Sequence, residues 1–155
     1  APGGSDADIA AAIGLSVHDA CSLEFDFEIS SESPGGTLRF QYIFMSEEYN
    51  EYVGASFNDA FLLLIDGENV AKVSGTEDVV SIDNVNNGAN SGFYNDNGDD
   101  SPLSFNTEYD GFTALLSTSS VELIAGQSYA AKLVIADAGD ATYDSSLVIK
   151  GDSFA

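Results

Sequence analysis

Oxygen-bearing side chains crowd three short stretches of this chain. The first is Ser46-Glu47-Glu48-Tyr49-Asn50-Glu51 with Phe57-Asn58-Asp59, the second is Asp83-Asn84-Val85-Asn86-Asn87-Gly88, and the third is Asp137-Ala138-Gly139-Asp140-Ala141-Thr142-Tyr143-Asp144. Carboxylates at this density call for a cation, and Ca²⁺ is the hard ion that takes roughly six to eight oxygens from carboxylates, amides and backbone carbonyls. In the third stretch Asp137, Asp140 and Asp144 share one tight loop, and Gly139 permits a sharp bend that aims carbonyls inward. The plain alternative is a turn whose Asp side chains cap backbone amides.

Glu47 and Glu48 are neighbours at a strand end, so their side chains point to opposite faces and do not easily ligate one ion together. Glu48 is therefore expected to act with Asn58 or Asp59, brought back on an adjacent strand about 4.8 Å away. Its alternative is a hydrogen-bonded brace with Tyr49 and Tyr52 packed beneath. Asp83 to Gly88 imitates the start of an EF-hand loop, but Val85 stands where a side-chain ligand belongs and Tyr94 where the closing Glu belongs, so that reading fails. Asp83 and Asn86 remain candidate ligands in an irregular loop. Residues 83–108 are rich in Asn, Asp and Gly and too long for an idle connection. Phe93, Tyr94, Asp96, Asp99 and Asp100, together with Asp110, are expected to form a ligand-facing rim; the alternative is a polar loop with no ligand.

Catalysis finds little support. His18 is the sole histidine, no Ser sits in a nucleophile-elbow context, and no carboxylate pair is singled out as a glycosidase pair, so the chain is not expected to be an enzyme. Cys21, three residues from His18, would lie on the opposite face of a regular strand. As the single cysteine in an apolar context it reads as an inert buried thiol.

The 26 acidic residues oppose only Arg39, Lys72, Lys132 and Lys150, a formal net charge of −22. That balance makes nucleic acid and anionic membrane surfaces poor partners. With 44% hydrophobic and 11% aromatic residues the chain can still bury a core, which excludes disorder. The acids could be a solvated coat for solubility or high salt, but many sit with Asn and Gly between apolar runs, which favours metal. The 155 residues read as one domain, 1–155, expected to be a monomeric part of a longer secreted protein. No apolar run nears the roughly 20 residues that span a bilayer, so direct membrane insertion is not expected. Calcium loops of modest affinity fill where Ca²⁺ is about millimolar, outside the cell.

The elements that must position these groups are mostly strands. A short helix is predicted over Ser5–Gly14, capped by Ser5 and stopped by Gly14. Leu23, Phe25, Phe27 and Ile29 alternate with acids, as in a strand with one face in the core. After the Ser33–Gly36 turn, Leu38, Phe40, Tyr42 and Phe44 alternate again, and the two runs are expected to form a hairpin. Ala60–Ile65 suits a strand buried on both faces, and Asp66-Gly67 turns the chain toward Val70–Val73. Val79–Ile82, Val121–Ile124, Tyr129–Ala136 and Ser146–Ile149 supply further strands. The sum is an all-β fold, an antiparallel β-sandwich of jelly-roll-like type with long calcium-binding loops and one short N-terminal helix.

Ser46-Glu47-Glu48-Tyr49, Phe57-Asn58-Asp59, Ile82-Asp83-Asn84-Val85-Asn86, Tyr109-Asp110-Gly111-Phe112-Thr113 and Ile135-Ala136-Asp137 through Tyr143-Asp144-Ser145 occur in the order found in choice-of-anchor L domains, and the chain resembles that family from about Asp19 onward. The resemblance implies a bacterial extracellular module of a large surface or secreted protein. The family is also similar to calcium-dependent ligand-binding domains of long repeat adhesins. Family members commonly carry Pro where this chain has Asn50, whose amide could add a ligand oxygen. The family's Gly-rich strands nearer the N-terminus are not found in these residues, so no site built from them is carried over. The expected function is calcium-dependent adhesion at the bacterial cell surface through a protein or peptide ligand. The alternatives are a glycan ligand bound in lectin fashion, weakened by the lack of Trp, and a calcium-stiffened spacer.

Overall fold

The computed structural model describes residues 4–98 and 105–153. A seven-residue helix α1 (Ala7–Ile13) opens the fold. Its cap is Asp6 rather than Ser5: the Asp6 carboxylate accepts the amides of Asp8 and Ile9 at 3.0 and 3.4 Å, and the Lys132 ammonium lies 2.6 Å from the same side chain. A capping carboxylate that also meets a lysine does more than a hydroxyl could. Gly14 ends the helix in the left-handed region, as expected.

The strands follow as β1 (Val17–Glu28), β2 (Gly36–Leu38), β3 (Gln41–Ser46), β4 (Ala60–Ile65), β5 (Glu68–Asn69), β6 (Val80–Ser81), β7 (Tyr94–Asp96), β8 (Gly111–Thr113), β9 (Leu116–Ser117), β10 (Val121–Leu123), β11 (Ser128–Ala138) and β12 (Ser145–Ile149). One antiparallel sheet runs β1-β11-β4-β5 with β6 on β4, the other runs β12-β3-β8-β7 with β9 on β3, and β10 pairs with β2. Tyr42 and Phe44 of β3 pack in one core with Phe61, Leu63 and Ile65 of β4 and Leu133 of β11, so the two sheets lie face to face. On the far side of β4 and β11, Leu62, Leu64 and Val134 pack under Ile9 of α1. With a core on each face, β4 is buried at every position, matching its unbroken apolar run.

Five expectations are corrected. The expected hairpin of the 23–29 and 38–44 runs does not form: β1 pairs with β11, Leu23 opposite Leu133, while β3 pairs with β12, Leu147 opposite Phe44. Alternation specifies which face a strand buries, and says nothing about its partner. Leu23 and Phe25 are 58% and 36% exposed, and Cys21 is exposed rather than buried. All three lie on β1, the edge of its sheet. His18 pairs with Asp137 and Cys21 with Ile135, so a bulge at Asp19 and Ala20 puts His18 and Cys21 on one face instead of two. The 83–108 stretch is not wholly irregular: a 3-10 turn over Ser91–Phe93 leads into β7, which pairs with β8.

Gly111 of β8 shows how tightly the second sheet is packed. A Cβ there would stand 2.5 Å from the Tyr94 hydroxyl and 2.7 Å from the Tyr49 ring. Overpacking of this kind costs about 1–3 kcal/mol, so Gly111→Ala is expected to lower the urea midpoint accordingly with little change in the slope. A wild-type midpoint would show that the Tyr49 and Tyr94 rings move aside freely.

Candidate metal centre

At one end of the two sheets, β3 stops at Ser46 and β4 begins at Ala60, which leaves Glu48 and Asp59 just outside their strands. Ser46 is buried, and its hydroxyl accepts the Glu48 amide at 3.0 Å, turning the chain inward. Glu48 is 1% exposed and Asp59 is 0% exposed. Because Ala136 pairs with Ala60 in the β11–β4 ladder, the next residue outward on each strand brings Asp137 to Asp59. The Asp59 carboxylate accepts the Ala138 amide at 3.0 Å, the Ser145 hydroxyl at 2.7 Å and the Ser46 hydroxyl at 3.5 Å. It therefore ties β3, β4, β11 and β12 together at one point.

The loop from Gly139 to Asp144 closes over this end. Gly139 has a φ of +91°, and a Cβ there would collide with the Ser56 carbonyl, so only glycine makes the bend. Glu47 points the other way from Glu48: its amide donates to the Asp144 carbonyl and its carboxylate accepts the Asp144 amide, both at 3.1 Å. The Asp140 carboxylate accepts the Thr142 amide. Asp19, thrown outward by the bulge at a φ of +45°, lines a cleft of about 90 Å³ with Asp137, Asp144 and Ser145.

Electrostatics make the consequence plain. Burial, and then the charges of Asp59, Asp140, Asp137 and Glu51, push the Glu48 carboxyl up to about 7. Burial, with Asp59, Asp144, Asp19 and Asp140 around it, pushes Asp137 up to about 7 as well. Asp59 rises to about 6 because burial outweighs its hydrogen bonds. These carboxylates resist carrying charge together without a cation. The chain's own cations are occupied elsewhere: Lys132 with Asp6 and Asp8, and Lys72 with Glu77. One Glu48 oxygen, Oε2, is buried with no hydrogen-bond partner, an expensive condition for a carboxylate. Among the described residues, no three His, Cys, Asp or Glu side chains converge closely enough to form a finished metal cage.

The structure thus brings Glu48, Asp59, Asp137, Asp140 and Asp144 to one end of the fold, where separate sites were expected, and adds Asp19, Glu51, Ser46 and Ser145. Glu48 and Asp59 do not meet across adjacent strands: β3 and β4 belong to different sheets. Asn58 and Asp83 stand apart, with the Asn58 side-chain oxygen accepting the Asp83 amide and Asp83 accepting the Gly54 amide. The Asn86 side chain braces its own loop, donating to the Ile82 and Asp83 carbonyls and accepting the Gly88 and Ala89 amides.

The expected rim is also placed differently. Phe93 packs against the core, Tyr94 donates its hydroxyl to Asn50 and packs on Tyr49, and Asp96 accepts the Asn50 amide, so Asn50 braces β7. The Asp110 carbonyl accepts the Asn97 amide beside them. Asp99 and Asp100 lie outside the described residues. Aromatic surface beside the carboxylates comes instead from Tyr143, 41% exposed, whose ring is 5.6 Å from that of Tyr52, itself edge-on to Phe57. Ser46 and Ser145 flank acidic motifs and could have been inferred from them. Asp19 had no such signal, because a bulge positions it.

No curated protein and no solved structure matches the chain. The model of the choice-of-anchor L domain matches residues 2–155, essentially the full length, and the chain belongs to that family.

Proposed function

We propose that this domain is a calcium-dependent binding module, not an enzyme, that takes a protein or peptide ligand at the bacterial surface. Family membership implies a bacterial cell-surface or extracellular protein. No described helix is long and apolar enough to cross a membrane. The observation that carries the calcium reading is the buried, unpartnered Glu48 Oε2 beside Asp59 and Asp137, whose carboxyls are all held above their ordinary range. An ion of charge +2 relieves the repulsion and satisfies the orphaned oxygen in one step.

Glu48, Asp59 and Asp137 would hold the ion, with Asp140 and Asp144 supplying oxygens from the closing loop. Bound there, calcium would fix the ends of four strands and so set the surface a ligand meets. A glycan reading has one observation in its favour, the exposed Tyr143 ring next to these carboxylates, since sugars stack on aromatic faces.

Calorimetric titration of the chelator-treated domain with Ca²⁺ tests the proposal. Saturable binding is expected, weakened by at least about tenfold in Asp137→Asn, which removes one charged ligand and keeps the shape. Absence of binding heat together with an unshifted melt would refute it. A peptide library and a glycan array, each probed with Ca²⁺ and with chelator, separate the two ligand classes.

A further inference from the structure

The four basic residues of this chain are not scattered. Lys132 lies against α1, where Asp6, Asp8 and Glu24 surround it. Arg39 and Lys72 face one another across a cleft of about 280 Å³, lined also by Ser74, Thr76, Ser119 and Ser120. Arg39 lies between β2 and β3 and turns outward because its neighbours Leu38 and Phe40 are buried. One wall of the cleft is the turn after Lys72, where Gly75 has a φ of +81° and the Thr76 amide donates to the Val73 carbonyl. The other is the stretch after β9, fixed by the Ser119 amide donating to the Val70 carbonyl at 2.8 Å. Thr118 closes the base: it is 5% exposed and its hydroxyl accepts the Phe40 amide.

Among the described residues, none that lines this cleft is acidic, in a chain that carries 26 carboxylates. The Arg39 Nε donates to the Ser120 hydroxyl at 2.6 Å, and its guanidinium meets no carboxylate among the described residues, so its terminal amino groups remain as donors. Lys72 pairs with Glu77, whose side chain is 88% exposed; a surface pair of this kind is weak and yields to a better-placed anion. The Ser74 and Ser119 hydroxyls have no partner among the described residues. Behind the cleft the Ser117 hydroxyl accepts the Gln41 side-chain amide at 3.3 Å, and Lys150 donates to the oxygen of that amide at 2.8 Å. Three of the four positive charges thus gather at the start of β3. The metal centre is at the other end of this six-residue strand, about 17 Å away, beyond the screening length of about 8 Å at physiological salt.

A lining of donors without acids selects an anion. The guanidinium fork, the ammonium and the hydroxyls between them suit the several oxygens of a sulfate or phosphate ester better than the two of a carboxylate. The cleft is larger than such a group and admits one sugar ring, whose hydroxyls match the Ser and Thr side chains. No aromatic ring among the described residues lines it to stack a base, and a net charge of −22 repels a polyphosphate backbone, so nucleic acid is the wrong occupant. We propose that this cleft binds a sulfated or phosphorylated sugar, with the oxyanion between Arg39 and Lys72 and the ring against Ser74 and Ser119. The site is separate from the metal centre, goes beyond the peptide reading and does not depend on it.

The test titrates glucose 6-sulfate and glucose 6-phosphate against the ¹⁵N-labelled domain in chelator, beside glucose, inorganic sulfate and inorganic phosphate. At least one ester is expected to bind with a Kd on the order of millimolar, with amide shifts centred on Ser74, Gly75, Ser119 and Ser120. The ratio of the two esters assigns the oxyanion. Arg39→Gln and Lys72→Gln, both outside the core, are each expected to weaken binding by at least about tenfold while leaving the spectrum away from the cleft unchanged. Equal binding of glucose would make this a neutral-sugar site, and equal binding of the inorganic ions would remove the sugar; either overturns the proposal. So does the absence of binding by both esters, a shift pattern centred elsewhere, or wild-type affinity in Arg39→Gln or in Lys72→Gln.

Discussion

Saturating Ca²⁺ is expected to raise the melting temperature of this domain by about 10 °C over the chelated protein near neutral pH. A ligand present at about a thousand times its Kd adds about 4 kcal/mol to the folded state, and each kcal/mol moves the midpoint of a domain this size by about 2–4 °C. The pH dependence identifies the groups responsible. Glu48, Asp59 and Asp137 have folded values of about 7, 6 and 7, above their ordinary values of 4.5, 3.8 and 3.8. Between those limits the folded state binds more protons than the unfolded chain, so stability falls as pH rises.

The chelated protein should therefore melt higher at about pH 5 than at about pH 8, by on the order of 2 kcal/mol after allowing for solvent screening at the open end of the site. Protons and calcium compete for the same oxygens, so the calcium increment should shrink over the same interval as pH falls. Scanning calorimetry across pH, with and without chelator, measures both slopes. A calcium increment that stays constant from about pH 8 down to about pH 5 would place the ion away from these three carboxylates.

The second large effect is a reversal of sign in Glu48→Gln. At 1% exposure Glu48 is enclosed, its Oε2 has no partner, and Asp59 and Asp137 repel it. Gln keeps the shape, removes the charge and offers an amide donor to those neighbours. In chelator near pH 8 the variant is expected to be more stable than the wild type by about 1–3 kcal/mol, because a buried uncompensated charge is gone. In Ca²⁺ the order inverts, since one charged ligand of the ion is lost and most of the increment of about 10 °C goes with it. A variant less stable than wild type in chelator and fully responsive to calcium would recast Glu48 as a structural brace.

How much of this was legible in the chain follows from what each signal encodes. The unbroken Ala60–Ile65 run announced a strand covered on both faces, and β4 lies between the main core and α1. Gly14 at the helix end and Gly139 in the acidic loop were readable because each fills a backbone conformation that other residues resist. The alternation of Leu38, Phe40, Tyr42 and Phe44 named core residues correctly, although Leu38 and Phe44 belong to strands in different sheets. The run of Leu23 and Phe25 misled for the same reason it persuaded. Period two marks an apolar face whether the chain's own core covers it or leaves it open.

By itself the sequence determined the β-class, the acid excess, the loops that carry carboxylates and the family. Those are properties of composition, spacing and local backbone preference, and each is written in neighbouring residues. Only the tertiary structure decided that Asp137, expected in a separate loop site, comes to the same end of the fold as Glu48 and Asp59. Their convergence depends on the β11–β4 register and on Asp59 bridging to Ala138 and Ser145 some eighty residues away. Pairing between distant strands is settled by packing of whole faces, and no local pattern specifies it.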